Sequence, residues 1–343
     1  MHKIIYQSIG LASLTITPFF TFQVTAGECA TGTAPTAGCT IGVDDTTYTM
    51  TGNITPASEA RGITFNSGSN DNTVTHTGNI STSGNYAYDL FLHGGSGSNT
   101  TSLIGNISTS GSYAHSLFFN GSDSNTTTMT GNIETTGYGA YDLYLNGGDS
   151  NTTTINGNIS TSGASAHGVF MTGSGTGNSI TNLGTIATSA SGTYGVYISS
   201  GTLATLNNKQ SDLTYYGKVP TNYNIIIRGD ADYGQTTFTS VSSTMTFGID
   251  LTNSGTGIGD KTYQDVLTGI AASGVLTATS GTSSGAAWSL AHDGTNWDLT
   301  ISGALDGSYG ASSAPSAAST LTSIQSASYA VASQFSSYAM STN

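Results

Sequence analysis

A Gly-Asn-Ile step recurs along this chain and constrains its fold more than any other feature. It stands at Gly52-Asn53-Ile54, Gly78-Asn79-Ile80, Gly105-Asn106-Ile107, Gly131-Asn132-Ile133 and Gly157-Asn158-Ile159, then in degenerate form at Gly184-Thr185-Ile186. Successive glycines lie 26, 27, 26, 26 and 27 residues apart. A second marker, Asn72, Asn99, Asn125, Asn151 and Asn178, keeps the same beat six residues earlier. A period of this length signals a stacked array in which one unit cannot bury its apolar face alone. Function in such arrays usually lies on an extended surface.

Within one unit, Asn99–Ile104 reads as a turn entering a strand and Gly105–Thr109 as a bend and a second strand. Tyr113–Asn120 reads as a third strand. In that third strand Leu90, Leu117, Leu143, Val169 and Val196 share one phase, with Leu92, Phe119, Leu145, Met171 and Ile198 two residues on. Successive strand side chains point to opposite faces, so both ladders belong inside. Ile63 and Phe65 extend them backwards, and a first rung is expected near Thr46. The expected fold is therefore all-β: a parallel β-helix of about six 26-residue rungs, a C-terminal β segment, and a short helical or disordered tail. The asparagines read as stacked turn ladders, since Asn tolerates left-handed backbone and its amide can bond its copies above and below.

Between the two inward ladders lie Phe91, Phe118, Tyr144, Phe170 and Tyr197. Alternation turns them outward, which predicts an aromatic stripe five rungs long, with Phe118 and Tyr144 at its centre as a candidate contact strip for a glycan or a partner surface. Stacked aromatics also stabilise neighbouring strands without any ligand.

Charged residues make up only 7% of the chain, but regularly placed Ile, Val, Thr, Tyr and Phe argue for a β protein and against disorder. Residues 1–26 read as a secretory signal: Lys3, an apolar run over Ile4–Phe22, and Val24-Thr25-Ala26 as the cleavage site. Without Lys3, five Lys plus Arg face 19 Asp plus Glu, which disfavours nucleic acid and anionic membranes as partners. In an exported chain Cys29 and Cys39 read as a disulfide that staples an N-terminal cap, residues 27–45. The β-helix repeats then cover 46–210, a C-terminal β segment 211–310, and an Ala/Ser-rich linker 311–343. In the β segment, Trp288, Leu290, Trp297 and Leu299 form the apolar side of a hairpin turning at Asp293-Gly294.

The Gly78–Leu90 type of rung, the Ile226–Gly303 region ending in Trp-Asp-Leu-Thr, and the Ala/Ser-rich tail together resemble the passenger region of bacterial autotransporters. That resemblance implies a surface-exposed β-helix on a Gram-negative cell, acting as a structural or adhesive element toward a surface glycan or a host or neighbour-cell protein. It also implies an outer-membrane barrel, whose alternating amphipathic strands do not occur before Asn343. The anchor is then expected elsewhere, or the chain is a fragment.

Parallel β-helices also include polysaccharide lyases and glycoside hydrolases, so a glycan-processing enzyme is the alternative. Glycoside hydrolysis needs two carboxylates at controlled separation. Asp44-Asp45 is the one adjacent pair and reads as a turn; Asp89 and Asp142 share a repeat position and read as solvated loops. Arg61 is the one Lys or Arg in the repeats before Lys209. His115 and His167 alternate with Tyr88, Tyr141 and Tyr194 at one repeat position, two rungs apart, and read as packing or turn residues. Gly94–Asn99 approaches a Ca²⁺-binding nonapeptide, but that motif repeats every nine residues with Asp where this chain has Asn. No catalytic residue, metal ligand or cofactor is nominated.

Overall fold

A computed structural model describes residues 27–309 of the 343. The signal segment and the Ala/Ser-rich linker, with its helical or disordered tail, lie outside the described residues. The chain winds as a coil of short stacked strands, with no helix among the described residues. One unit contributes Thr100–Ile104 to a first sheet (sheet I), Ile107–Thr109 to a second (sheet II) and Leu117–Asn120 to a third (sheet III).

The ladders pair in parallel and in strict register. Leu117 lies between Leu90 and Leu143, Ile107 between Ile80 and Ile133, and Leu103 beside Met129. These columns meet inside the coil, where Leu90, Leu117, Leu143, Val169 and Val196 are all fully buried. Each such side chain contributes roughly 1.5–3 kcal/mol by leaving water.

The Gly-Asn-Ile marker has a steric cause. Gly105 adopts φ +143°, and a Cβ there would collide with the carbonyl of Gly78 one rung back. The next residue continues the stack outside the coil. The backbone N–H of Asn106 donates to Asn79 Oδ1 at 2.8 Å, and that of Asn132 to Asn106 Oδ1 at 3.0 Å. The second marker forms a separate, buried ladder running the other way. The N–H and Nδ2 of Asn99 both donate to Asn125 Oδ1 of the following rung, at 3.1 and 3.0 Å, and Asn125 bonds Asn151 likewise. Buried backbone and amide groups at this corner are thus satisfied from rung to rung.

The coil has about eight turns, not six. It starts earlier than Thr46, because Cys39 and Ile41 already occupy the two inward positions of sheet III, opposite Ile63 and Phe65. Cys29 and Cys39 are disulfide-bonded there. It also outlasts the sequence markers. Sheet I continues through Leu203–Asn208, Asn222–Ile225 and Thr246–Ile249, and sheet III through Leu213–Lys218 and Thr236–Ser242. Sheet II alone stops, at Ile186–Thr188, so the marker that belongs to the bend before sheet II vanishes with it. Thr256–Thr268 then pairs in parallel with the coil on one side and antiparallel with Asn296–Asp306 on the other. The hairpin Ala286–His292 with Asn296–Asp306 buries Trp288, Leu290, Trp297 and Leu299 over this end.

Candidate functional site

The outward positions of sheet III carry a column of six rings. Phe91, Phe118, Tyr144, Phe170, Tyr197 and Tyr216 follow one another with centroids 4.7–5.4 Å apart. They lie outside the main core, as strand alternation requires. A second column runs beside them where the chain enters sheet III: Tyr88, His115, Tyr141, His167 and Tyr194, at 5.0–6.0 Å. Rings of the two columns also interlock, for example His115 with Tyr144 at 4.7 Å and Tyr141 with Phe170 at 4.5 Å. Stacking of this kind adds about 0.5–1.5 kcal/mol per pair beyond burial. At the N-terminal end the Arg61 guanidinium lies 4.2 Å from the Phe91 centroid and 5.1 Å from that of Tyr88, closing the double column.

The second column changes what the stripe can do. Phe91 and Phe118 are buried, at 3% and 7% exposure, in a small cluster with Tyr88. Phe118 is therefore not the centre of a contact strip, because neighbouring rings cover it. Tyr144, Phe170 and Tyr197 remain half-buried, together with Tyr141, Tyr194 and Tyr216. The accessible aromatic face thus lies toward the C-terminal rungs.

Two histidines in the second column are held neutral. His115 Nδ1 accepts the Tyr141 backbone N–H at 2.9 Å, and His167 Nδ1 accepts that of Tyr194 at 3.0 Å. Burial pushes His115 down to about 3 and His167 to about 4. Burial likewise pushes Tyr141 up to about 12, with the neighbouring Tyr144 adding to the shift. The face is consequently uncharged near neutral pH.

The carboxylates are placed differently from the sequence expectation. Asp89 and Asp142 are not solvated: both are fully buried at the corner between sheets II and III, with Ser116 between them in the same column. This corner turns inward at Thr82 and Thr135, whose hydroxyls donate to Ala87 O and Ala140 O at 3.2 Å. Burial raises both acids well above the carboxylate range; the hydroxyls of Thr82 and Ser116 beside Asp89, and of Thr135 beside Asp142, oppose the shift only in part. Neither carboxyl has a hydrogen-bond partner. Sealed from solvent, they do not reach an external substrate. Asp44-Asp45 forms a turn, in which Asp44 Oδ1 accepts the Asn70 N–H at 2.7 Å and Asp45 takes φ +53°. Among the described residues no group of three or more His, Cys, Asp or Glu gathers.

Two shallow clefts lie on the surface of the described residues. One, of about 300 Å³, lies between Asn158, Thr185, Lys209, Asp212 and Asp232, with Lys209 Nζ 2.9 Å from Asp232 Oδ1. The other, of about 240 Å³, runs over sheet II between Ser81, Ser108, Ser110, Glu134 and Thr136. Beside it stand three exposed tyrosines, Tyr86, Tyr113 and Tyr138. The third strand, expected to begin at Tyr113, spans Leu117–Asn120, and all three rings sit in turns, where strand alternation carries no signal.

The fold defines the chain as a parallel β-solenoid with a lateral aromatic face. No family model, curated protein or solved structure matches it.

Proposed function

We propose that this chain is an exported, non-catalytic solenoid of the autotransporter-passenger type, serving as a structural and adhesive rod at the surface of a Gram-negative cell. The observation that carries this reading is the aromatic face itself: stacked rings, uncharged near neutral pH, continue over successive rungs and stay half-accessible at Tyr144, Phe170 and Tyr197. An extended apolar strip of that kind usually marks an interaction site. Its partner is a surface glycan or a protein on a neighbouring or host cell. The signal-like segment at residues 1–26 supports export, and an outer-membrane barrel supplied beyond this sequence would anchor the rod.

The test displays the chain on cells and measures adhesion to glycan-coated and cell-coated surfaces. Tyr144→Ser with Tyr194→Ser should reduce adhesion several-fold while the far-ultraviolet circular dichroism stays unchanged. Full adhesion by that variant removes the aromatic face as the contact. Release of new reducing ends from plant or capsular polysaccharide would replace the adhesive reading with the enzymatic one.

A further inference from the structure

We infer that the corner between sheets II and III binds a neutral polysaccharide strand, as a second contact surface beside the aromatic face; this rests on the adhesive reading. Four observations converge on three consecutive rungs. Outward hydroxyls line sheet II as a row: Ser81 and Ser108 face solvent in register, with Ser108 Oγ donating to Ser81 Oγ at 3.0 Å. Ser83, Ser110 and Thr136 continue the lining at the end of each strand. In the third rung the row position is taken by Glu134, exposed and in no salt bridge among the described residues. Two or three residues further along each rung comes an exposed tyrosine, so the tyrosine Cα atoms stand within about 10 Å of the groove's rim by chain length alone.

The tyrosines are held outward at a conformational cost. Tyr86 and Tyr113 adopt φ +57° and +54°, left-handed values that bulky side chains rarely take. The equivalent position is Gly139 and then Ser165 in the next two rungs, so the repeat does not need an aromatic there. Tyr86 and Tyr113 stack face to face at 5.5 Å, and Tyr138 meets Tyr113 edge-on at 5.5 Å. Tyr113 is thereby the middle of the group. Tyr86 and Tyr138, at 59% and 51% exposure, offer the open ring surface. The left-handed turn itself recurs in every rung, so a bulky ring accepted at it, where Gly or Ser serves elsewhere, is a pointer to function.

The chemistry selects the occupant. Hydroxyls that both donate and accept match sugar hydroxyls, and a carboxylate accepts from two of them. Ring faces take the apolar C–H side of a pyranose, as aromatic surfaces with a polar tip commonly do at wet interfaces. An anionic glycan would meet Glu134 and a chain of net charge −13, so the strand is neutral. Tyr86 and Tyr113 lie two residues before Tyr88 and His115 of the second aromatic column.

Titration calorimetry of the exported chain with cellohexaose, mannohexaose and the acidic hexagalacturonate tests this. Wild type should bind at least one neutral hexasaccharide more tightly than hexagalacturonate. Tyr86→Ala with Tyr138→Ala should weaken that binding at least tenfold, and Glu134→Ser several-fold. Lys209→Ser, in the separate cleft beside Asp232, should bind as wild type does. Circular dichroism and thermal midpoints establish that each variant is folded, and Tyr86→Gly should raise the midpoint by relieving the left-handed strain. No binding of either neutral hexasaccharide, tighter binding of hexagalacturonate, or unchanged binding by the tyrosine pair overturns the inference. If the cells still adhere in that event, the adhesive reading stands and only the second contact surface falls; if wild-type cells do not adhere, the adhesive reading falls.

Discussion

Gln210 ends sheet II by standing in for a strand against Ile186. Its Oε1 accepts the Ile186 N–H at 2.7 Å and its Nε2 donates to the Ile186 carbonyl at 3.2 Å. One side-chain amide thus satisfies the backbone donor and acceptor that the next rung would otherwise have paired. Asn182 Nδ2 donates to the same Oε1 at 3.2 Å, and Gln210 Nε2 also reaches Asp212 Oδ1 at 2.7 Å. Gln210 is only 5% exposed, and a buried sheet edge without partners is costly. The three-sheet coil can therefore become a two-sheet one at this point without an orphaned edge.

Replacing Gln210 by Leu keeps the volume and removes both bonds. Two buried backbone groups left unpaired cost about 1–3 kcal/mol each, so urea unfolding should show a loss of about 2–6 kcal/mol. Gln210→Glu keeps an acceptor for Ile186 N–H and loses the donor, and should fall between. Equal stability of Gln210→Leu and wild type would show that sheet II is not capped by this side chain.

His76 is an internal contradiction of its ladder. It occupies the inward position shared with Met50 and Leu103 and is fully buried, with both ring nitrogens unpaired. His76→Leu should stabilise the protein by about 1–3 kcal/mol, the cost of the unsatisfied polar group. Burial lowers the pKa of His76 below 6.5. Below the unfolded value the unfolded chain binds a proton that the folded ring resists, so stability falls as pH drops through this range. The advantage of His76→Leu should accordingly grow between pH 7 and pH 5. An advantage independent of pH would mean that His76 titrates normally.

Asp89 and Asp142 act with the opposite sign. The groups facing them are Ser116 and the hydroxyls of Thr82 and Thr135, the carboxyls of each other, and for Asp142 also Glu134. Their folded pKa values are raised, so in the folded state they keep protons that the unfolded chain releases above about pH 4. Stability is thus complete in acid and declines as pH rises toward the folded values. Asp89→Asn with Asp142→Asn removes this decline: it should match wild type near pH 4 and exceed it increasingly up to pH 8. A constant difference across that range, read from denaturant midpoints, would mean that the two carboxyls reach solvent.

Leu117→Asp places a charge in the fully buried sheet III ladder between Leu90 and Leu143. An unpaired charge there costs more than a marginally stable domain can absorb, and the cooperative thermal transition should disappear. Retention of the wild-type midpoint would show that the inward face has been misassigned.

The repeat beat, the inward ladders Leu90–Val196 and Leu92–Ile198, and the outward phase of Phe91 to Tyr197 were all legible in the chain. Each follows from strand alternation copied every 26 or 27 residues, a local rule that needs no knowledge of neighbours. Gly105 and Asn106 were readable for a related reason, because one rung's turn is stacked on an identical turn. What only the tertiary structure decided lies at corners, where alternation fails. A bend buried Asp89 and Asp142 although alternation from the inward Leu90 and Leu143 would face them outward. Another set Tyr88 and His115 beside Phe91 and Phe118, burying rings that alternation correctly placed on the outer face. Where the Gly-Asn-Ile marker lapsed, the coil continued on two sheets, because hydrogen-bond register and inward apolar residues sustain stacking without that bend. Its third sheet ended on the amide of Gln210, a residue 24 positions from Ile186 whose role depends on where the coil brings it.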